Sequence, residues 1–212
     1  MQIPRFAHNV VFVCLLMIGA VSSSFADPIV ANGSFESPVA WTGPLGCCYT
    51  YSPTDPGVDW TFSFASGVSL VPSLWGFTTA PDGVQVAFLQ ETASISQTVS
   101  LVAGDQYNLT YYVEQRPGYG VDPVTVSVGG TQTNYIANPT ADWTLYTDTF
   151  TAASTSELLE FSTTEPIYGG DNDAGLDDVS ITPTPEPGTM TLLGSGLLGL
   201  AVIVKRRFSA SK

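Results

Sequence analysis

Two runs decide the fold: Ile95-Ser96-Gln97-Thr98-Val99-Ser100-Leu101 and, after a turn at Ala103-Gly104-Asp105, Tyr107-Asn108-Leu109-Thr110-Tyr111-Tyr112-Val113. In both, the residues at every second position form one mostly apolar face, which is the period of a strand. Polar side chains such as Asn108, Thr110 and Glu114 fall on the other face. Moving outward, the same alternation returns at Val84/Val86/Phe88, Val124/Val126/Val128, Leu159/Phe161 and Val179/Ile181. Gly129-Gly130 is a two-residue hairpin signal, and Gly118 to Pro123 separates another pair of runs. No helical periodicity persists for three turns, and no repeat of 20–50 residues is evident. About ten short strands at intervals of about ten residues predict an all-β antiparallel sandwich or jelly roll over 27–183. A chain of roughly 150 residues buries about 70% of its surface, enough for a core without staples. The proline- and glycine-rich segment from Val39 to Pro56 reads as a long loop.

Charge narrows the chemistry. The chain of 212 residues has 6 Lys+Arg against 19 Asp+Glu. Between Asp27 and Pro183 stand 18 acids and a single base, Arg116, and the only histidine, His8, lies outside. Ser-His-Asp and Cys-His mechanisms, lysine Schiff bases and His-ligated zinc are therefore excluded from this segment. Nucleic acid is excluded as a partner because phosphate backbones require clustered Lys and Arg. Cys47-Cys48 leaves a vicinal bridge, an intermolecular bond and two free thiols open; adjacent Cα atoms about 3.8 Å apart would strain the first.

The two ends read as addresses. Residues 1–26 hold one Arg, an apolar run from Val10 to Ala20, and a small-x-small close at Ser24-Phe25-Ala26, the form of a secretory signal helix cleaved after Ala26. In 184–212 an uncharged stretch, 189–204, is followed at once by Lys205-Arg206-Arg207. As a single transmembrane helix of about 24 Å it would place the basic cluster in the cytoplasm and the domain outside.

Just before that stretch stands Pro185-Glu186-Pro187. The tripeptide, the short Gly-rich apolar segment and the basic tail together resemble the PEP-CTERM sorting signal of exported Gram-negative proteins. The resemblance implies processing by signal peptidase and by an exosortase, with an inner-membrane-anchored precursor delivered to the cell surface or medium. The middle is similar to galactose-binding-like jelly rolls, a superfamily with many carbohydrate-binding modules. The likeness rests on Asn32-Gly33-Ser34-Phe35-Glu36 near one end and Gly175-Leu176-Asp177-Asp178-Val179-Ser180-Ile181 at the other. Gly83 to Gln90, Ile95 to Val99 and Asp142-Trp143-Thr144-Leu145-Tyr146 add to it.

In modules of that kind a structural Ca²⁺ often ties the first strand to the last. By resemblance the ligands map onto Glu36 and Asp177. Asp177 shares the strand parity of Val179 and Ile181 and is expected to point inward, where a lone carboxylate costs several kcal/mol. Asp171-Asn172-Asp173 mimics the start of a calcium loop but lacks its closing glutamate, and reads as a solvated segment, the alternative being that it lends a ligand to the Glu36–Asp177 site. Candidate sugar-binding rings are Trp41, Trp60, Trp75, Tyr112 and Tyr119, with Tyr49 and Tyr51 nearby, and Arg116 either meets an acidic sugar or pairs with a carboxylate. Trp143 is expected to open a strand and pack. The reading that follows is a non-catalytic surface protein that binds, or is embedded in, extracellular polysaccharide or biofilm matrix. The alternative is a carboxylate-based or metal-assisted glycan hydrolase.

Overall fold

The computed structural model describes residues 29–42, 48–55, 57–73, 75–164, 171–184, 194–197 and 199. Eleven strands form among them: β1 (Tyr49–Tyr51), β2 (Thr61–Phe62), β3 (Ser66–Leu70), β4 (Gln85–Gln90), β5 (Ser94–Ser100), β6 (Gln106–Gln115), β7 (Val124–Val128), β8 (Thr131–Ile136), β9 (Thr144–Thr151), β10 (Ser156–Thr163) and β11 (Asp173–Pro183). They pair antiparallel into two sheets. One runs β1-β3-β4-β11-β6-β9 and the other β2-β5-β10-β7-β8. The all-β sandwich expected from the alternation is the fold.

The turns follow from their glycines. Gly129 and Gly130 both have positive φ (59° and 77°), as the tight hairpin joining β7 to β8 requires, and Val128 pairs Thr131 across it. At the β5–β6 turn Asp105 N donates to Val102 O (3.1 Å), with Gly104 at φ 91° in the third turn position.

Between the sheets lies the main core. Leu89, Leu109, Tyr111 and Leu176 from the six-stranded sheet meet Ile95, Leu159 and Phe161 from the five-stranded one. Tyr111 packs edge-on against Phe161 (5.1 Å) and donates its hydroxyl proton to Asp148 Oδ2 (2.6 Å). A buried phenol thus keeps its polar tip satisfied.

Four expectations change at this level. Val86 and Phe88 are buried, but away from the main core: Ala87 and Leu89 face the opposite sheet, and Val86 and Phe88 join Trp75 and Phe77 in a second cluster. β4 is covered on both sides because Val71, Trp75, Phe77 and Ala80 pack over its outer face. Trp60, expected near a loop, is core: only 3% exposed, it packs on Phe35 (5.0 Å) and donates to Asn32 O (3.0 Å). The predicted loop 39–56 contains β1, whose Tyr-Thr-Tyr puts both rings on one face and pairs with β3. Cys47 lies outside the described residues, so the pairing of Cys47 and Cys48 does too.

The fourth change is at Asp177. The β6–β11 register shifts between Asp177 and Ser180, with Asp178 in the left-handed region at φ 48°. One extra residue there reverses the alternation. Leu176 faces the main core and so do Val179 and Ile181, whereas Asp177 pairs with Tyr112 on the outer face. The parity argument fails, yet Asp177 is fully buried, because the 71–84 segment covers it.

The signal helix and Ala26 lie outside the described residues, as do Pro185, Glu186, Pro187, Lys205, Arg206 and Arg207. Within the expected span 189–204, residues 194–197 are helical. No helix among the described residues is long and apolar enough to cross a membrane.

Candidate functional site

The outer face of the six-stranded sheet supplies the site. β1 contributes Tyr49 and Tyr51, and Tyr51 pairs with Gly67 of β3. A Cβ at Gly67 would lie 2.8 Å from the Phe88 ring, so only glycine lets the aromatic layer settle onto the sheet. Phe88 of β4 stacks on Trp75 at 4.1 Å, and Tyr49 and Tyr51 meet Trp75 edge-on at 5.5 and 5.9 Å. Arg116, just past β6, sets its guanidinium carbon 4.6 Å from the Trp75 ring centre and 3.9 Å from that of Tyr119. Cation–π attraction of this kind is strongest when water is excluded. One nitrogen, Nη1, donates to Asp171 Oδ2 and Asp173 Oδ2, both at 2.8 Å.

Between these groups opens a cleft of about 250 Å³ lined by Tyr49, Tyr51, Trp75, Arg116 and Asp171. Its rim is tied by hydrogen bonds: Tyr51 donates its hydroxyl proton to Gln90 Oε1 (2.5 Å), and Gln90 Nε2 donates to Asp171. Burial, then the carboxylates of Asp173 and Asp171, push the Tyr51 hydroxyl up to about 12, so it remains a donor across the physiological range.

Of the sequence-expected residues, Arg116, Trp75 and Tyr119 come together here, and Trp41, Trp60 and Tyr112 do not. Trp75 itself is sandwiched, with Phe88 against one face and Arg116 over the other, so it backs the cleft and offers no open ring. The accessible rings are Tyr51 and Tyr119, 40% and 43% exposed. Trp41 is more exposed but sits beside β1, with its backbone N–H donating to Thr50 Oγ1 (2.9 Å). Trp143 precedes β9 and packs against Phe77. Asp171-Asn172-Asp173 departs from the solvated loop expected of it: Asn172 and Asp173 are buried and Asp171 anchors Arg116. Gln90 carries no sequence mark of this role, except that it ends β4 on the parity of Phe88.

Glu36 and Asp177 address one turn. Glu36 Oε1 accepts from Val84 N and Gln85 N, both at 2.8 Å, and Asp177 Oδ2 accepts from Asp82 N at 2.9 Å. Burial raises the Asp177 carboxyl to about 7 against the N–H groups that favour its charge. Its Oδ1 is buried without a hydrogen-bond partner. That open oxygen fits a hard cation, and Glu36 stands on the same turn. Among the described residues no group of three or more His, Cys, Asp or Glu converges to hold a metal, so carbonyl oxygens or water would complete any such shell.

Other carboxylates on the outer face are covered. Glu114 accepts from Thr78 N (3.1 Å) and Thr78 Oγ1 (3.2 Å), and burial lifts it to about 7. It is fully buried and meets no open surface.

Comparison with known proteins places these observations. Halomucin of Haloquadratum walsbyi is 31% identical over 191 residues, 87% of this chain and 2% of halomucin. The chain thus spans a very small part of that relative. A carbohydrate-binding module solved with beta-1,4-galactotriose superposes with a TM-score of 0.48 at 15% identity, covering 75% of this chain and 100% of the module. A CBM4 structure gives 0.46 at 19% (73% and 99%). The K1 cleaved adhesin domain of the lysine gingipain of Porphyromonas gingivalis W83 gives 0.47 at 12% (65% and 98%). The PEP-CTERM protein-sorting motif matches residues 183–207, where the tripeptide and basic tail stand. The model described as "Protein of unknown function (DUF642)" matches residues 28–174, nearly the whole sandwich, and the chain belongs to that family.

Proposed function

We propose that this is an exported surface protein, sorted by an exosortase and non-catalytic, whose sandwich binds extracellular polysaccharide or is embedded in it. The observation that carries the reading is the cleft on the outer face. Tyr51, an accessible ring in its wall, and Tyr119, an accessible ring packed against Arg116 beside it, stand by a fixed donor–acceptor pair, Arg116 and Asp171, and this combination suits a sugar's apolar face and its hydroxyls. Arg116 is already matched by two carboxylates, so the cleft favours neutral over acidic sugars. The PEP-CTERM motif supports delivery to the surface through signal peptidase and exosortase, with a transient stay in the inner membrane. Glycan hydrolysis would need two carboxyl groups facing one bond. Glu114, Asp173 and Asp177 are all fully buried, which favours binding over cleavage.

A structural Ca²⁺ belongs to the same proposal, held by Glu36 and Asp177. When bound it would supply positive charge that ties the N-terminal segment to β11 across the 82–85 turn.

Gel retardation of the protein on a polysaccharide panel, with Ca²⁺ and with chelator, tests the reading. Neutral polymers should slow the wild type, and Tyr51→Ala or Tyr119→Ala should reduce that retardation severalfold. Loss of polymer viscosity would favour the hydrolase instead. No retardation on any polymer would remove the glycan.

A further inference from the structure

At the end of β11 nearest the cleft the described residues bury more negative charge than their single base, Arg116, engages. The loop 116–123 folds onto the start of β11: Arg116 N donates to Asp173 O (2.9 Å), and the Asn172 side chain lies so close to Gly120 that a Cβ there would meet it. The β4–β5 turn closes the other side, with Glu91 N donating to Asn172 O (3.0 Å). Asp122 and Asp173 are both 0% exposed in this enclosure. Neither oxygen of Asp122 has a hydrogen-bond partner, and neither has Asp173 Oδ1. Thr163 and the Glu91 N–H lie on the Asp122 side, favouring its charge without reaching hydrogen-bonding geometry.

Burial first, then the neighbouring Asp173 and Glu91 carboxylates, raise Asp122 to about 8. Asp173 is raised to about 7 by its own burial, despite the Arg116 bond that opposes it. Arg116 is the only base between 27 and 183 and is engaged by Asp173 Oδ2 and Asp171 Oδ2. A buried carboxylate with no partner costs several kcal/mol, and only a proton or a cation relieves it.

We propose that Asp122 and Asp173 form a divalent-cation site of the calcium class, separate from Glu36 and Asp177. Oxygen-only donors suit a hard ion, with carbonyls and water filling the six to eight places that Ca²⁺ takes. Asp173 then works in two directions: Oδ2 holds Arg116 against Trp75, and Oδ1 faces the ion. Cation loading at this site therefore braces the cleft's guanidinium from behind.

Equilibrium dialysis with Ca²⁺ at up to millimolar concentration, on the full chain in detergent, counts the ions, and thermal melting follows the response. Asp122→Asn should bind one Ca²⁺ fewer than wild type. It should melt at or above wild type in chelator, because the amide removes the buried charge, and gain less on adding Ca²⁺. Asp177→Asn, which leaves this site intact, should still bind one ion. Equal stoichiometry in wild type and Asp122→Asn overturns the proposal. So does Asp177→Asn that binds none, even if Asp122→Asn does not fold. In either case a shared proton would be the relief.

Discussion

The two faces of the six-stranded sheet are built from the same strands and do opposite work. The inner face presents Leu89, Leu109, Tyr111, Leu176 and Ile181 to the second sheet, and its buried phenols, Tyr107 and Tyr111, both have partners. The outer face buries Phe88 and Trp75 beside Glu114, Asp173 and Asp177, under a cover made by 71–84 and the 116–123 loop. Apolar burial is the only demand on the first face, so its energy scales with area. On the second, carboxyl oxygens are left without donors, an arrangement that costs stability and is found where recognition or ion binding is the return.

Substitutions can break or sharpen that contrast. The largest effect belongs to the inner face: Phe161→Ala, in contact with Tyr111 and Trp60, should lose about 3–5 kcal/mol in denaturant unfolding. A loss under about 1 kcal/mol would mean the core is not where stability resides. Next comes Glu114→Gln. Its carboxyl is raised from 4.5 to about 7 in the fold, so its stabilising contribution is complete below about pH 4.5 and is lost as pH rises through about 7. Gln keeps an acceptor for Thr78 without the charge. The variant should match wild type near pH 4 and exceed it at pH 8 by up to about 3 kcal/mol. A pH-independent difference would contradict the covered-carboxylate account.

Gly175→Ala probes the cover itself. The added carbon would lie 2.8 Å from the Trp143 ring and 2.9 Å from Phe77, and displacing them should cost about 1–2 kcal/mol. The smallest effect on stability is expected for Tyr119→Ala, about 0.5–1 kcal/mol from the lost contact with Arg116. Its melting curve should barely move while polysaccharide retardation falls. Equal loss of both would make Tyr119 a packing residue.

The core between the sheets was legible because period two survives wherever one side of a strand is apolar and the other polar, as in β6 of one sheet and β5 and β7 of the other. The outer face obscured its own pattern. β4 is covered on both sides, so Val86-Ala87-Phe88-Leu89 is a continuous apolar run whose Val86 and Phe88 read as inward. The bulge after Asp177 adds one residue, and parity counted back from Ile181 then lands on the wrong side. Tryptophans were ambiguous for another reason: Trp60 and Trp75 both lie beside loops, and only the three-dimensional cover decides that one is core and the other the back wall of a cleft. The scarcity of bases was the best sequence clue to the site, since a lone Arg116 among 18 acids had to be paired.

The position of β11 has a mechanical consequence. It is a central strand, laddered to β4 on one side and β6 on the other, and its last residues run directly into the sorting segment. Thr184, just past its end, donates from its N–H to Gln106 O (2.9 Å). A pull on the C-terminal side of the chain runs along this strand and loads its flanking hydrogen bonds together in shear, where an edge strand pulled crosswise would unzip them singly. Force entering from that side is thus opposed by a strand laddered on both flanks.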